Sequence, residues 1–325
     1  MELKELLSDE KLLLRGITKN TLSEMTGISA TYFNLIKKDS IKKPGRDKML
    51  SIGIVMNLSP KEISDLLKQY KYIDLEAEDI TTLFKLAENW NITGIQPLFV
   101  SGLLHNIYNL SIGSLPGDEV IIGMRLPSLF RSPDHAKYLD IEIKKIRYKS
   151  FHILKEKMIE KRIEKFDENL QKYKIKHYSC YGCFEDYIHL TLNSEERHQR
   201  EFTKAHIQNL IDCLNGDKKK NYEFYFLDYC PHLSCYLKYA PGKDIIDKDN
   251  KVMYYGQKPI QKQSHINSES YADRTGMAFG YATDKPNIFL NFHLQYEIAQ
   301  NAIMKEFSDR DSVIQRLECA ISELK

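Results

Sequence analysis

Between Thr18 and Lys37 three marks of punctuation leave the backbone little freedom. Thr18 or Asn20 can cap a helix, a glycine stands at Gly27, and a serine at Ser29. A side-chain oxygen at a helix start accepts one of the orphan N–H groups of the first turn. Glycine after a last helical residue accepts the left-handed conformation that ends a helix sharply. The run therefore reads as one short helix carrying Leu22 and Met25 inward, a tight turn, and a second short helix from Ser29 to Lys37. The second buries Phe33 and Ile36 and turns Thr31, Tyr32 and Asn34 elsewhere.

The flanks extend this reading to five helices. The first spans residues 3–14. A basic loop ending in Lys42-Lys43-Pro44-Gly45 precedes a fourth over residues 46–56. The fifth opens on Ser59-Pro60-Lys61-Glu62, a capping box with proline at the first helical position, and runs to about Tyr70. Residues 1–72 hold 13 Lys/Arg against 9 Asp/Glu, a net +4 in a chain of +2 overall, and residues 37–48 alone hold six basic and two acidic groups. A basic cluster beside a polar helix face suits phosphate, although a lysine-rich loop is more often merely solvated.

The stretch from Thr18 to Ile36 resembles the helix-turn-helix of the Cro/repressor-like, xenobiotic-response-element (XRE) family of transcriptional regulators. The matching features are the small-polar helix start, apolar Leu22 and Met25, Gly27, the Ile28-Ser29 pair and apolar Ile36. The block from Lys43 to Leu50 and the Leu58-Ser59 entry also look like that family's fourth and fifth helices. The likeness covers residues 10–72, and it departs where the family often has glutamine: Asn20 or Thr21, and Ala30 or Thr31, stand at those places. It implies a lambda-repressor-like, all-α five-helix domain over residues 1–72. Ser29, Thr31, Tyr32 and Asn34 would face bases or nearby phosphates, and Thr18, Asn20, Lys37, Lys38, Lys42 and Lys43 would hold the backbone. Double-stranded operator DNA and a homodimer are the implied partners, because one recognition helix reads only a few base pairs.

Residues 73–325 read as an α/β or α+β region for sensing or dimerisation, with a sub-boundary near 135. Helices are expected over 76–90 and 101–110, a strand over 119–124, a long amphipathic helix over 138–173, a short strand over 187–192 and a helix over 195–214. Strands are expected over 222–229, 234–239, 252–255, 276–281 and 288–292, followed by one or two helices over 293–324. No repeat of 20–50 residues is readable, which argues against the helical arrays of peptide-sensing relatives.

Weaker signals lie in this second part. Cys180-Tyr181-Gly182-Cys183, with His177 and His189 nearby and Cys230, His232 and Cys235 fifty residues on, holds enough thiols for a tetrahedral zinc site. Cys180, Cys183, Cys230 and Cys235 are its ligand candidates, against the commoner outcome of buried reduced cysteines. Tyr222, Tyr225, Tyr229, Tyr236, Tyr239, Tyr254 and Tyr255 either line a ligand pocket or pack ordinary strands. His135-Ala136-Lys137 with Glu142 resembles, incompletely, the His-x-Lys-x4-Asp motif of phospholipase D-like enzymes, with Glu in place of Asp, and is better read as a solvated helix start. No phosphate loop, nucleophile elbow or paired-histidine zinc helix is present, so no cofactor and no catalytic residue is expected. Six cysteines without a framework spacing, no long apolar run and no leader-like N-terminus fit a cytoplasmic protein. The competing reading is an enzyme or effector that the helix-turn-helix only targets or autoregulates. An antitoxin or phage-defence adaptor, bound to a neighbouring gene's product, is a third.

Overall fold

The computed structural model describes residues 2–99, 103–131, 149–194, 197–216, 220–256 and 279–325. The expected sub-boundary near 135, the His135-Lys137-Glu142 motif, the first turns of the long helix and residues 276–278 lie outside them.

Caps set the first six helices: α1 (Leu3–Leu6), α2 (Asp9–Leu14), α3 (Lys19–Thr26), α4 (Ala30–Lys37), α5 (Arg46–Val55) and α6 (Pro60–Gln69). The expected single helix over 3–14 is two. Ser8 takes an extended backbone, and its Oγ accepts the Lys11 N–H at 3.3 Å, which starts a new helix. Ser59 and Glu62 form the expected capping box, the Ser59 N–H donating to Glu62 Oε2 at 2.7 Å. Residues 2–94 contain no strand.

A 3-10 turn (Ala77–Asp79) and α7 (Ile80–Asn89) follow, then β1 (Ile95–Phe99), α8 (Leu103–Ser114), β2 (Asp118–Gly123) and α9 (Lys149–Leu170). Next come β3 (Ile175–Cys180), α10 (Tyr181–Leu192), α11 (Arg197–Asn215), β4 (Tyr222–Leu227), β5 (Leu233–Tyr239), β6 (Lys251–Gly256) and β7 (Phe279–Thr283). Helices α12 (Pro286–Asn301) and α13 (Arg310–Glu323) close the chain.

The strands form one mixed sheet in the order β1-β7-β6-β5-β2-β3-β4. β2, β3 and β4 are parallel, joined through helices; the other neighbours are antiparallel. Alternation assigns the faces. Ile121, Ile175, Tyr222, Phe224 and Phe226 pack with α9, α10, α11 and α13, while Val120, Ile122, Tyr178, Leu237 and Val252 pack beneath α12. Glu119 and Lys238 sit opposite each other on β2 and β5, both buried, and pair at 3.2 Å. A separate core runs without a break from Leu3 through α3 to α8. It takes in Phe151, Leu154 and Met158 of α9 and ends on Met253 and Tyr255 of β6 and Ala282 of β7.

Three expectations are corrected. β1 and β3 are strands that were not foreseen. Residues 187–192 belong to α10, where Cys183, Phe184, Ile188 and Thr191 bury one helical face. Residues 288–292 belong to α12, which starts on Pro286 and buries Phe289 and Ala299. Short apolar runs fit either period, and the spacing of the buried set decides between them.

Candidate functional site

The α3–α4 unit is built from side-chain oxygens. Thr18 Oγ1 accepts the Thr21 N–H at 3.1 Å and opens α3. Gly27 ends it at φ +67. Across the turn Ser23 Oγ donates to the Ile28 carbonyl at 2.6 Å, and Thr26 Oγ1 donates to the Leu22 carbonyl at 2.6 Å. Ser29 is extended and its Oγ accepts the Tyr32 N–H at 3.3 Å, which starts α4. Leu22, Met25, Phe33 and Ile36 are buried, as the sequence predicts, and Ile28 joins them.

On the outer side Thr18, Asn20, Ser29, Thr31, Asn34 and Lys38 are exposed. Tyr32 is half-buried: its ring packs against the core, with the Lys48 ammonium 4.1 Å from its centre. Lys42 and Lys43 are exposed on the loop before α5. That loop is held in place, since Tyr72 Oη donates to the Pro44 carbonyl at 2.8 Å and Lys43 lies 4.2 Å above the same ring. Lys37 is half-buried and shares Asp9 with Lys19, at 3.4 and 3.1 Å respectively. Lys19, first through its hydrogen bond and then by its charge, holds the Asp9 carboxyl below the usual carboxylate range. Lys19, Lys48 and Asp9 thus belong to this surface although residue type alone did not single them out. Their neighbours come from other helices, so only tertiary packing reveals them.

The thiols divide. Cys180 ends β3, Cys183 lies in the first turn of α10, and Cys230 follows β4; their three sulfurs lie within 4.8 Å of one another. Cys183 Sγ and Cys230 Sγ are 3.8 Å apart, and His232 Nδ1 is 3.8 Å from Cys230 Sγ. Cys180 Sγ accepts the Cys183 N–H at 3.4 Å. The Cys183 thiol bonded to it, with help from the Cys183 and Gly182 N–H groups, draws the Cys180 thiol down from its ordinary value. As the donor in that pair, and buried, Cys183 is pushed up. Cys235 is a correction: it lies wholly buried in the core beneath α12, outside this cluster. His177 and His189 are elsewhere too. His177 Nδ1 pairs with Tyr222 Oη at 2.7 Å inside the core, and His189 is bonded to Asn193.

The seven tyrosines do not converge. Tyr222, Tyr236 and Tyr255 face the cores on one side of the sheet, whereas Tyr225, Tyr229, Tyr239 and Tyr254 pack beneath α12 on the other. They are strand packing rather than one pocket. A cavity lined by Asn109, Glu119, Arg162 and Tyr236, among others, has a volume of about 20 Å³, room for about one water.

No protein-family model, curated protein or solved structure matches the chain.

Proposed function

We propose that this chain is a sequence-specific DNA-binding transcriptional regulator of the cytoplasm. In this reading α3 and α4 form a Cro/repressor-like helix-turn-helix, residues 1–72 are the DNA-binding unit, and the remainder senses an effector and sets the geometry of a homodimer. The observation that carries the reading is the division of α4. Phe33 and Ile36 are spent on the core, and Thr31 and Asn34 stand exposed beyond the Ser29 cap. Short polar side chains at the start of such a helix reach base edges in a major groove, and flanking lysines hold phosphates. Lys38, Lys42 and Lys43 are exposed in the segment that follows.

Selection of bound duplexes from a random pool by the full-length protein tests this. A two-fold symmetric site is expected, with half-site centres about one DNA turn apart. Asn34→Ala should reduce discrimination at one base position by about 1–3 kcal/mol. Lys42→Ala with Lys43→Ala should weaken every duplex alike and lower the salt slope by about 1 per lysine. Failure to enrich any sequence, with no affinity at low salt, rejects the reading.

One observation favours a second reading, an enzyme or effector that the helix-turn-helix only targets. The thiol cluster lies beyond the carboxyl ends of parallel strands β3 and β4, where open α/β sheets commonly place a site. Turnover of a substrate by the purified full-length protein, with no sequence enriched from the duplex pool, would establish it.

A further inference from the structure

We propose that Cys180, Cys183, Cys230 and His232 bind one zinc-class metal ion in a closed, tetrahedral, structural site. The proposal is independent of the DNA-binding reading, which rests on residues in other elements.

Topology brings the ligands together. β3 and β4 are parallel neighbours with Cys180 registered on Leu227, so the segments leaving their carboxyl ends run side by side. Cys180 and Cys183 leave one strand, and Cys230 and His232 leave the other. Three cysteines from two separated segments then share one small volume, bounded on the apolar side by Met124, and His232 Nδ1 approaches it from the Cys230 side, 3.8 Å from that sulfur.

The spacing suits a metal and excludes a disulfide. Zinc–thiolate bonds of about 2.3 Å in a tetrahedron put neighbouring sulfurs roughly 3.8 Å apart. Cys183 and Cys230 stand at 3.8 Å, and His232 Nδ1 is 3.8 Å from Cys230 Sγ. Cys180, within 4.8 Å of both other sulfurs, needs a movement of less than about an ångström. A disulfide requires about 2.05 Å, far shorter than the separations here. The remaining cysteines do not share the arrangement. Cys235 packs beneath α12, Cys213 lies in the core of α11, and Cys319 is exposed on α13.

The surroundings supply what a thiolate ligand needs. Cys180 is the N-cap of the twelve-residue α10, and its sulfur already accepts a backbone N–H from within the Cys-Tyr-Gly-Cys turn. Backbone donors to a ligating sulfur fix its orientation and offset its charge. Cys180 and Cys183 are buried, Cys230 is half-buried and His232 is exposed, which leaves a path for the ion from the histidine side. His232 adopts φ +52, a left-handed conformation uncommon outside glycine and relatively frequent for histidine. Binding balances as one divalent cation joined to three thiolates and a neutral imidazole, with three protons released to solvent and a net charge of −1. Sulfur and imidazole in a tetrahedral set select zinc-like ions over magnesium or calcium. Four protein ligands leave no open position, so the ion ties the β4–β5 loop to the start of α10 and is not itself reactive.

The test uses the full-length protein, purified under reducing conditions without chelator. Metal analysis is expected to give close to one zinc per chain. After stripping, Co(II) titration under anaerobic conditions should give the visible bands of a tetrahedral thiolate complex, saturating at one equivalent and bleached by zinc. Cys235→Ser, which changes no proposed ligand, should leave stoichiometry and spectrum unchanged. Cys230→Ser should abolish the spectrum. His232→Ala, an exposed position, keeps the measurement interpretable should a cysteine variant not fold: native circular dichroism is expected, with Co(II) affinity weakened at least tenfold and a shifted spectrum. The proposal is overturned by metal-free protein that gives no tetrahedral Co(II) spectrum. It is equally overturned by a Cys183–Cys230 disulfide that forms in preference to metal binding under these conditions, or by His232→Ala with unaltered affinity and spectrum.

Discussion

At the scale of single residues, Asp9 is the group most at odds with the proposed phosphate-binding surface. It is fully exposed and stays ionised beside Lys19 and Lys37, which approach it at 3.1 and 3.4 Å. On the proposed DNA-binding reading, each lysine that reaches for a phosphate must leave or share this carboxylate. Exposed pairs of this kind add little to folding, so Asp9 modulates a surface rather than holding helices together. Asp9→Asn is therefore expected to raise affinity for any duplex several-fold at low salt. It should also steepen the salt slope by up to about 1, with thermal stability nearly unchanged. Fluorescence anisotropy with two unrelated duplexes at two salt concentrations checks this. Equal affinities for Asp9→Asn and the parent would mean that the starts of α2 and α3 stay away from the DNA backbone.

At the scale of elements, legibility followed local chemistry. Helices α3 to α6 were readable because each start is fixed by a nearby side chain: Thr18, Ser29, the Pro44-Gly45 break, and Ser59 with Pro60. β3 was not, because Ile175-Lys176-His177-Tyr178-Ser179-Cys180 has neither β-branched residues beyond its first nor a polar alternation; neighbours on both sides bury it. The thiol cluster was half legible. The Cys-x-x-Cys was visible, but between His232 and Cys235 the choice depends on where β5 begins. It begins at Leu233, which leaves His232 in the loop and commits Cys235 to the α12 face. Two elements also carry a pH dependence. His177 on β3 is buried and His105 on α8 is half-buried, and desolvation, helped by Arg162, holds each down at about 3. In the unfolded chain they titrate near 6.5. Below that pH the unfolded state binds protons that the folded state refuses. Stability is therefore complete above about 6.5 and lost as pH falls toward 3, at about 1.4 kcal/mol per pH unit for each histidine. His105→Phe is the informative variant. It keeps the edge-on contact with Tyr255 and removes a ring Nδ1 that has no hydrogen-bond partner; it also removes the 2.8 Å bond of Nε2 to Asn109 Nδ2, while Asn109 retains its bond to the residue-105 carbonyl at 2.9 Å. Urea unfolding between pH 4 and 6 should show the slope of stability against pH reduced by about 1.4 kcal/mol per unit. An unchanged slope would mean that His105 accepts its proton within the folded state.

For the whole molecule, the junction after residue 72 decides how a signal could pass. The chain there is stitched back onto the first helices. Arg46 pairs with the buried Asp79 and donates to the Asp74 carbonyl at 2.8 Å, and Ser64 Oγ donates to Asp74 Oδ2 at 2.7 Å. Beyond it lies Trp90, the single tryptophan, edge-on to Tyr108 with centroids 5.0 Å apart. Its Nε1–H donates to Gln96 Oε1 at 3.2 Å, an oxygen that also accepts from Tyr108 at 3.3 Å. That ring belongs to the same apolar core as Leu22, Leu50 and Leu67, and the core continues to β6 and β7. Helices that share a continuous core with the sheet cannot swing on a loose tether. A regulator built this way would change operator affinity by rotating one whole copy against the other, which alters half-site spacing without bending either copy. The shared core makes a direct forecast. Urea unfolding followed by Trp90 fluorescence and by far-ultraviolet circular dichroism, to which the first six helices contribute strongly, should give one coincident transition. Leu83→Ala, at a fully buried site on α7, should cost about 2–5 kcal/mol and move both probes together. If helicity is lost in a first step while Trp90 remains native, the first helices open as a unit of their own, and flexing within one copy becomes the simpler route for the signal.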